Sequence, residues 1–240
     1  MLNYLVGNYA TGIYNATYKL ISVLTLFYSI YTAVIFPIMS KFFKNDKKLL
    51  VISFEKSVKY LMLIMIPLAI GTIFYSSDII QLIYGHEYDE ASSVLSILIW
   101  TVCLLFVSGA GNVLLNASHK ERVVTKIYGI AALFNVILNF IMIPYLSYKG
   151  AAITTVLSDL LIVIIQVYII YKLGIKINKK LYFDLCKIII GSIILGIALY
   201  LLNLNMWIAI PIGIIIYLTI ELLLKLFDDD KYIIKEILDK

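Results

Sequence analysis

Cysteine and histidine are nearly missing from this chain, with two of each in 240 residues. Cys103 and Cys186 both fall in apolar runs, and His86 and His119 lie far apart in sequence. That excludes a disulfide framework and any metal-ligand spacing, so no metal is expected. A glycine-rich phosphate loop and a G-x-S-x-G elbow are also missing, and no sizeable polar domain exists to hold a nucleotide. The chain is therefore not expected to be an enzyme or to carry a resident cofactor. Charged residues make up only 15% of the sequence, and the lysines are spread between apolar runs, so the net charge of +5 does not point to nucleic acid. Asn3, Asn8 and Asn15 interrupt the first segment, which does not read as a cleavable signal peptide.

What fills the sequence is hydrocarbon. Hydrophobic residues account for 62% and the mean hydropathy is +0.97, far above the roughly 45–50% apolar share of soluble domains. One core cannot bury that much apolar surface in water. The reading is an all-α, polytopic membrane bundle. Continuous apolar runs, rather than alternation, argue against a β-barrel. Seven runs are long enough to cross a bilayer, near Tyr14–Pro37, Val58–Tyr75, Val94–Asn116, Val123–Ile143, Ala151–Tyr171, Phe183–Leu202 and Trp207–Phe227. Pro37 and Pro144 are expected to close spans, and Pro67, with Gly71 a turn later, to form a hinge.

The connections alternate in charge. "SKFFKNDKKLLVISFEKSVK" carries six lysines, whereas "SSDIIQLIYGHEYDEA" carries none and four acids. "SHKERVVTK" and "YKLGIKINKK" are basic again, while "PYLSYK" has one lysine and "NLN" has no charge. The positive-inside rule then places the C-terminus, with a tail over 228–240, in the cytoplasm and Met1 outside. A chain that starts outside with an odd number of spans is expected to lack an odd number of helices before Met1. A natural seven-helix protein is the alternative.

Intramembrane polar residues mark functional sites by default. Lys19 and Asp159 fall at similar depth, which suggests an ion pair; the alternative is that Lys19 snorkels outward and Asp159 bonds a neighbouring backbone. Lys19 reads as the one lysine buried in a span. Asn112/Asn116 and Asn135/Asn139 are each spaced four apart, so each pair shows two amides on one helical face, as interhelical glue or as cavity lining. Glu221, close to a span end, reads as snorkelling. The tyrosines at span ends (Tyr75, Tyr84, Tyr88, Tyr145, Tyr148, Tyr168, Tyr171 and Tyr182) read as an interfacial belt.

Several stretches occur in a telling order: "GNYATGIYNATYKL", "FPIMSKF", "IPLAIGTIFYSSDIIQLIYGHEYDEASSVLSIL" and "NVLLNASHKERVVTKIYGIAALFNVILNFIMIPYLSYKGAAITTVLSD". Over residues 4–172 they resemble the second lobe of polysaccharide flippases in the multidrug/oligosaccharidyl-lipid/polysaccharide exporter superfamily. "PYLSYKGAA" departs from the family, which commonly has a glycine soon after Pro144. The resemblance implies a second-lobe bundle over 1–175, two extra helices over 176–227, and a first lobe that is missing or separately encoded. It further implies a plasma-membrane transporter turning a polyprenyl-linked oligosaccharide across the bilayer. Lys19, Asp159, Asn112, Asn116, Asn135 and Asn139 are then the candidates for substrate or cavity contacts, with coupling to a proton or cation gradient left open. A drug/cation antiporter of the same superfamily and an inactive half-transporter are the rival readings.

Overall fold

The structure, a computed structural model, describes residues 1–227, so the expected tail over 228–240 lies outside the described residues. The described chain is helical throughout: α1 (Leu2–Val6), α2 (Asn8–Asn45), α3 (Lys47–Phe74), α4 (Ser76–Tyr84), a 3-10 turn (His86–Tyr88), α5 (Ala91–Ala117), α6 (Glu121–Lys172), α7 (Lys179–Leu202) and α8 (Met206–Leu223). Six of these are long and apolar enough to cross a membrane.

The longest, α6, has 52 residues. Run straight, it would reach about 78 Å at 1.5 Å per residue, more than twice a hydrocarbon core of about 30 Å. It does not run straight. Ser147 has φ 52° and ψ −133°, outside the helical region, and the chain reverses there. Asn135 Nδ2 donates to Ser158 Oγ at 3.0 Å across the turn. Nearer the turn, a Cβ built on Gly150 would come within 2.5 Å of the Met142 carbonyl oxygen, so only glycine permits this approach. Both contacts share one register, and 121–146 and 148–172 form an antiparallel hairpin. The six helices thus supply seven crossings.

Two connections read as loops are largely helical. α2 passes through Pro37 and continues to Asn45, so this proline does not end its helix. α3 restarts at Lys47, capped by Asp46, whose Oδ1 accepts from the Lys48 and Leu49 amides at 2.9 and 3.2 Å. That cap satisfies two of the orphan donors at a helix start. The acidic connection likewise folds into α4 and the 3-10 turn.

α5 is the central helix. Of its 27 residues 18 are buried, whereas only six of the 38 in α2 are. α2, α3 and both halves of α6 pack around α5, α7 leans on α3, and α8 leans on α7. Opposite ends of the bundle gather opposite charges. The basic connections meet where the Asn178 amide donates to Glu55 and the ring of Phe43 packs edge-on against that of His119, with centroids 5.8 Å apart. At the other end Tyr148 donates to Glu90 at 2.7 Å and Tyr75 donates to the Leu204 carbonyl at 3.0 Å.

Candidate functional site

Three polar clusters interrupt the apolar interior. The first joins three segments, α5 and both halves of α6, toward the basic end of the bundle. Gln166 Nε2 donates to Asn112 Oδ1 at 2.7 Å, and Asn112 Nδ2 donates to the Tyr128 hydroxyl at 2.7 Å. The Gln166 amide lies directly over Gly111, where a Cβ would approach its oxygen to 2.6 Å. The missing side chain at Gly111 thus makes room for the amide that satisfies its neighbour Asn112. Both Asn112 and Gln166 are buried, and a buried amide without partners would be costly. Asn116, one turn further along, is half-buried at the basic end of α5.

The second cluster runs along the α6 hairpin. Asn139 Nδ2 donates to Asn135 Oδ1 at 2.8 Å, Asn135 donates on to Ser158, and Ser158 Oγ donates to the Thr154 carbonyl at 2.7 Å. The register that pairs Asn135 with Ser158 places Asn139 opposite Thr154. Asn139 Oδ1 and Thr154 Oγ1 are both buried, and neither has a hydrogen-bond partner among the described residues. The chain extends toward α2 through Thr155, whose hydroxyl lies 3.1 Å from that of Tyr14. Asp159, one turn past Thr155 on the same face, is half-buried.

Lys19 and Asp159 sit at the same level, because Tyr14 faces Thr155 and each charged residue lies about one turn further along. Among the described residues no ion pair joins them. Tyr14 and Tyr18 stack with ring centroids 5.9 Å apart, and Lys19 lies about 100° further around the helix from Tyr18. Lys19 is outward-facing rather than buried, which corrects the expectation that it is the lysine sequestered in a span.

That lysine is Lys59, in the third cluster. It is 1% exposed, pairs with buried Asp184 at 3.1 Å, and donates to the Leu226 carbonyl at 2.6 Å. One side chain thereby ties α3 to α7 and to the end of α8. The sequence held a signal for this pair. Lys59 and Asp184 each stand in the first turn of a hydrophobic run, at the same end of the bundle, and matching depths would have paired them as it paired Lys19 with Asp159. Glu221 is also buried, with its carboxylate over Gly191. Close packing of α8 on α7 leaves it no route to snorkel.

Pro67 lies within a continuous α3, and a Cβ at Gly71 would meet nothing within 4 Å. The tyrosine belt divides. Tyr75, Tyr84 and Tyr148 donate to Leu204, Ala16 and Glu90 of the protein itself, while Tyr145, Tyr168, Tyr171 and Tyr182 face outward. At the basic end, burial lifts the Glu55 carboxyl above its ordinary range, and the Asn178 amide and Lys56 pull it back down.

The family model described as "Polysaccharide biosynthesis protein" matches residues 1–93. The membrane protein MJ1068 of Methanocaldococcus jannaschii is 33% identical over 174 residues, covering 72% of this chain and 34% of that protein. The "Probable low-salt glycan biosynthesis flippase Agl15" of Haloferax volcanii is 27% identical, covering 88% and 46%. The "Capsular polysaccharide biosynthesis protein CapF" of Staphylococcus aureus is 30% identical, covering 72% and 43%. Among solved structures, lipid II flippase MurJ in an inward closed conformation superposes with a TM-score of 0.76 at 19% identity, over 92% of this chain and 48% of that one. The chain spans between about a third and a half of the length of these relatives.

Proposed function

Because this chain belongs to the polysaccharide flippase family, we propose that it forms one lobe of a transporter turning polyprenyl-linked oligosaccharides from the cytoplasmic to the outer leaflet. The basic end of the bundle faces the cytoplasm of a plasma membrane, and a second lobe completes the path. The physical problem is the sugar. Each hydroxyl carried through hydrocarbon without a partner costs several kcal/mol, about 2–7 depending on the reference. A polar surface that travels with the substrate removes that cost.

The hairpin cluster carries this reading. Asn139 Oδ1 and Thr154 Oγ1 hold unused hydrogen-bonding capacity inside a membrane-spanning segment, unlike Asn112 and Gln166, which satisfy each other. Spare acceptors suit a substrate rich in hydroxyl donors. Lys19, outward on α2, is available to compensate a pyrophosphate. Asp159, the carboxylate nearest that seam, is the group that would couple movement to a proton or cation gradient.

Deleting the gene in its host tests this. The proposal expects radiolabelled lipid-linked oligosaccharide to accumulate on the cytoplasmic face, with drug sensitivity unchanged. Normal glycans together with altered drug resistance would instead identify an antiporter.

A further inference from the structure

We propose that the basic end of the bundle holds a binding site for a phosphate-bearing anion, in a cavity separate from the hairpin seam and independent of the transport reading. The cavity encloses about 750 Å³ between the start of α3, the α5–α6 turn and the α6–α7 connection. Among the described residues, seven lysines line it against two carboxylates, Glu55 and Asp184. Asp184 is spent on Lys59 at the cavity floor, and Glu55 accepts the Asn178 amide. Lys47, Lys48, Lys120 and Lys176 add further positive charge to the walls.

Basic connections on the cytoplasmic side are common and ordinarily solvated. Two observations separate this one from a solvated face. The lysines converge on a recess, brought there by three helix starts, at Lys47, Glu121 and Lys179, and by the ends of α2, α5 and α6 beside them. Moreover, Ser118 lines the recess, is only 7% exposed, and its hydroxyl has no partner among the described residues. A buried hydroxyl without a partner is costly unless something bonds to it. A phosphate group supplies several acceptor oxygens for that hydroxyl and for lysine ammonium groups, which bind phosphate as point charges. The phosphate could belong to an anionic phospholipid headgroup or to a soluble phosphate, and the shared chemistry is the same.

The test uses the full chain purified in a neutral detergent. Binding is measured by native mass spectrometry and thermal shift with two probes, phosphatidylglycerol and inorganic pyrophosphate. The wild-type protein should bind at least one. The combined variant Lys47→Gln, Lys120→Gln, Lys176→Gln should bind about tenfold more weakly, as the loss of several charge-assisted contacts requires. Lys149→Gln, at the opposite end, should leave binding unchanged. Ser118→Ala should weaken binding without lowering the melting temperature. If the combined variant does not fold, the single variants Lys120→Gln and Lys176→Gln should each show part of the loss. Phosphatidylglycerol binding that pyrophosphate fails to displace identifies a headgroup site; displacement identifies a site for the soluble anion. The proposal is overturned if neither probe binds, if the cavity variants bind like wild type, or if Lys149→Gln weakens binding as much as they do.

Discussion

At the α5 crossing, Asn112, Gln166 and Tyr128 satisfy one another over Gly111. Along the α6 hairpin the same kinds of group stop short: Asn135 finds Ser158, but Asn139 Oδ1 and Thr154 Oγ1 have no partner among the described residues. The Lys59–Asp184 pair belongs with the closed arrangement, since both charges are buried and each meets the other. Closed clusters hold helices together. The open one retains bonding capacity. Mutations should therefore separate them, with stability falling at the closed clusters and transport falling at the open one.

The largest stability loss is expected from Asp184→Leu, which removes the carboxylate that pairs with the buried ammonium of Lys59. Breaking one side of a buried pair costs about 3–5 kcal/mol, and a thermal melt in detergent reads it. The double variant Lys59→Met, Asp184→Leu should recover most of that loss. Asn112→Leu comes next, removing partners from Gln166 and Tyr128 for about 1–3 kcal/mol. Thr154→Val at the open seam preserves shape and breaks no side-chain hydrogen bond, so the melt should move by less than about 0.5 kcal/mol. Transport should nevertheless fall severalfold. A large stability loss from Thr154→Val would erase the distinction between the seams.

The smallest effect lies in the clasp between the turn of the hairpin and the acidic connection. The Glu90 carboxylate accepting its hydrogen bond, together with partial burial, pushes the Tyr148 hydroxyl up to about 12 from the ordinary 10. A raised value in the folded state means that the clasp contributes fully below pH 10 and is lost as pH rises through about 12. Subtracting the tyrosinate absorbance titration of Tyr148→Phe from that of wild type should show this late-titrating group. Glu90→Gln should return it toward 10.

Much of the architecture was legible because hydropathy and loop charge respond directly to the bilayer. The seven crossings emerged from apolar run length, including the pair that the structure joins in one 52-residue helix broken at Ser147. The break falls inside the short connection expected between those two runs, at Pro144–Lys149. Pro144 lies three residues earlier, inside a helical turn, and the reversal is set by the close approach at Gly150. Helix ends were harder for a different reason. Outside hydrocarbon, α2 and α3 continue on local propensity and on the Asp46 cap, so hydropathy stops marking them before the helix stops.

For the site, four-residue spacing put Asn135 and Asn139 on one face, and their hydrogen bond confirms that geometry. Spacing said nothing of Gln166, which meets Asn112 only through tertiary packing. Depth alone paired Lys19 with Asp159, but rotation about α2 turns Lys19 away. Depth along a span carries no information on that angle; Lys59 and Asp184, also matched in depth, do pair.

The most direct test of the account follows the substrate at the open seam. Radiolabelled lipid-linked oligosaccharide is scored by leaflet in cells producing the Thr154→Val protein or the Asn112→Leu protein, with protein amounts matched. The account predicts cytoplasmic-leaflet accumulation with Thr154→Val at unchanged melting temperature, and a lowered melting temperature with near-normal leaflet distribution for Asn112→Leu. Normal distribution with Thr154→Val, or accumulation that tracks melting temperature alone, would contradict it.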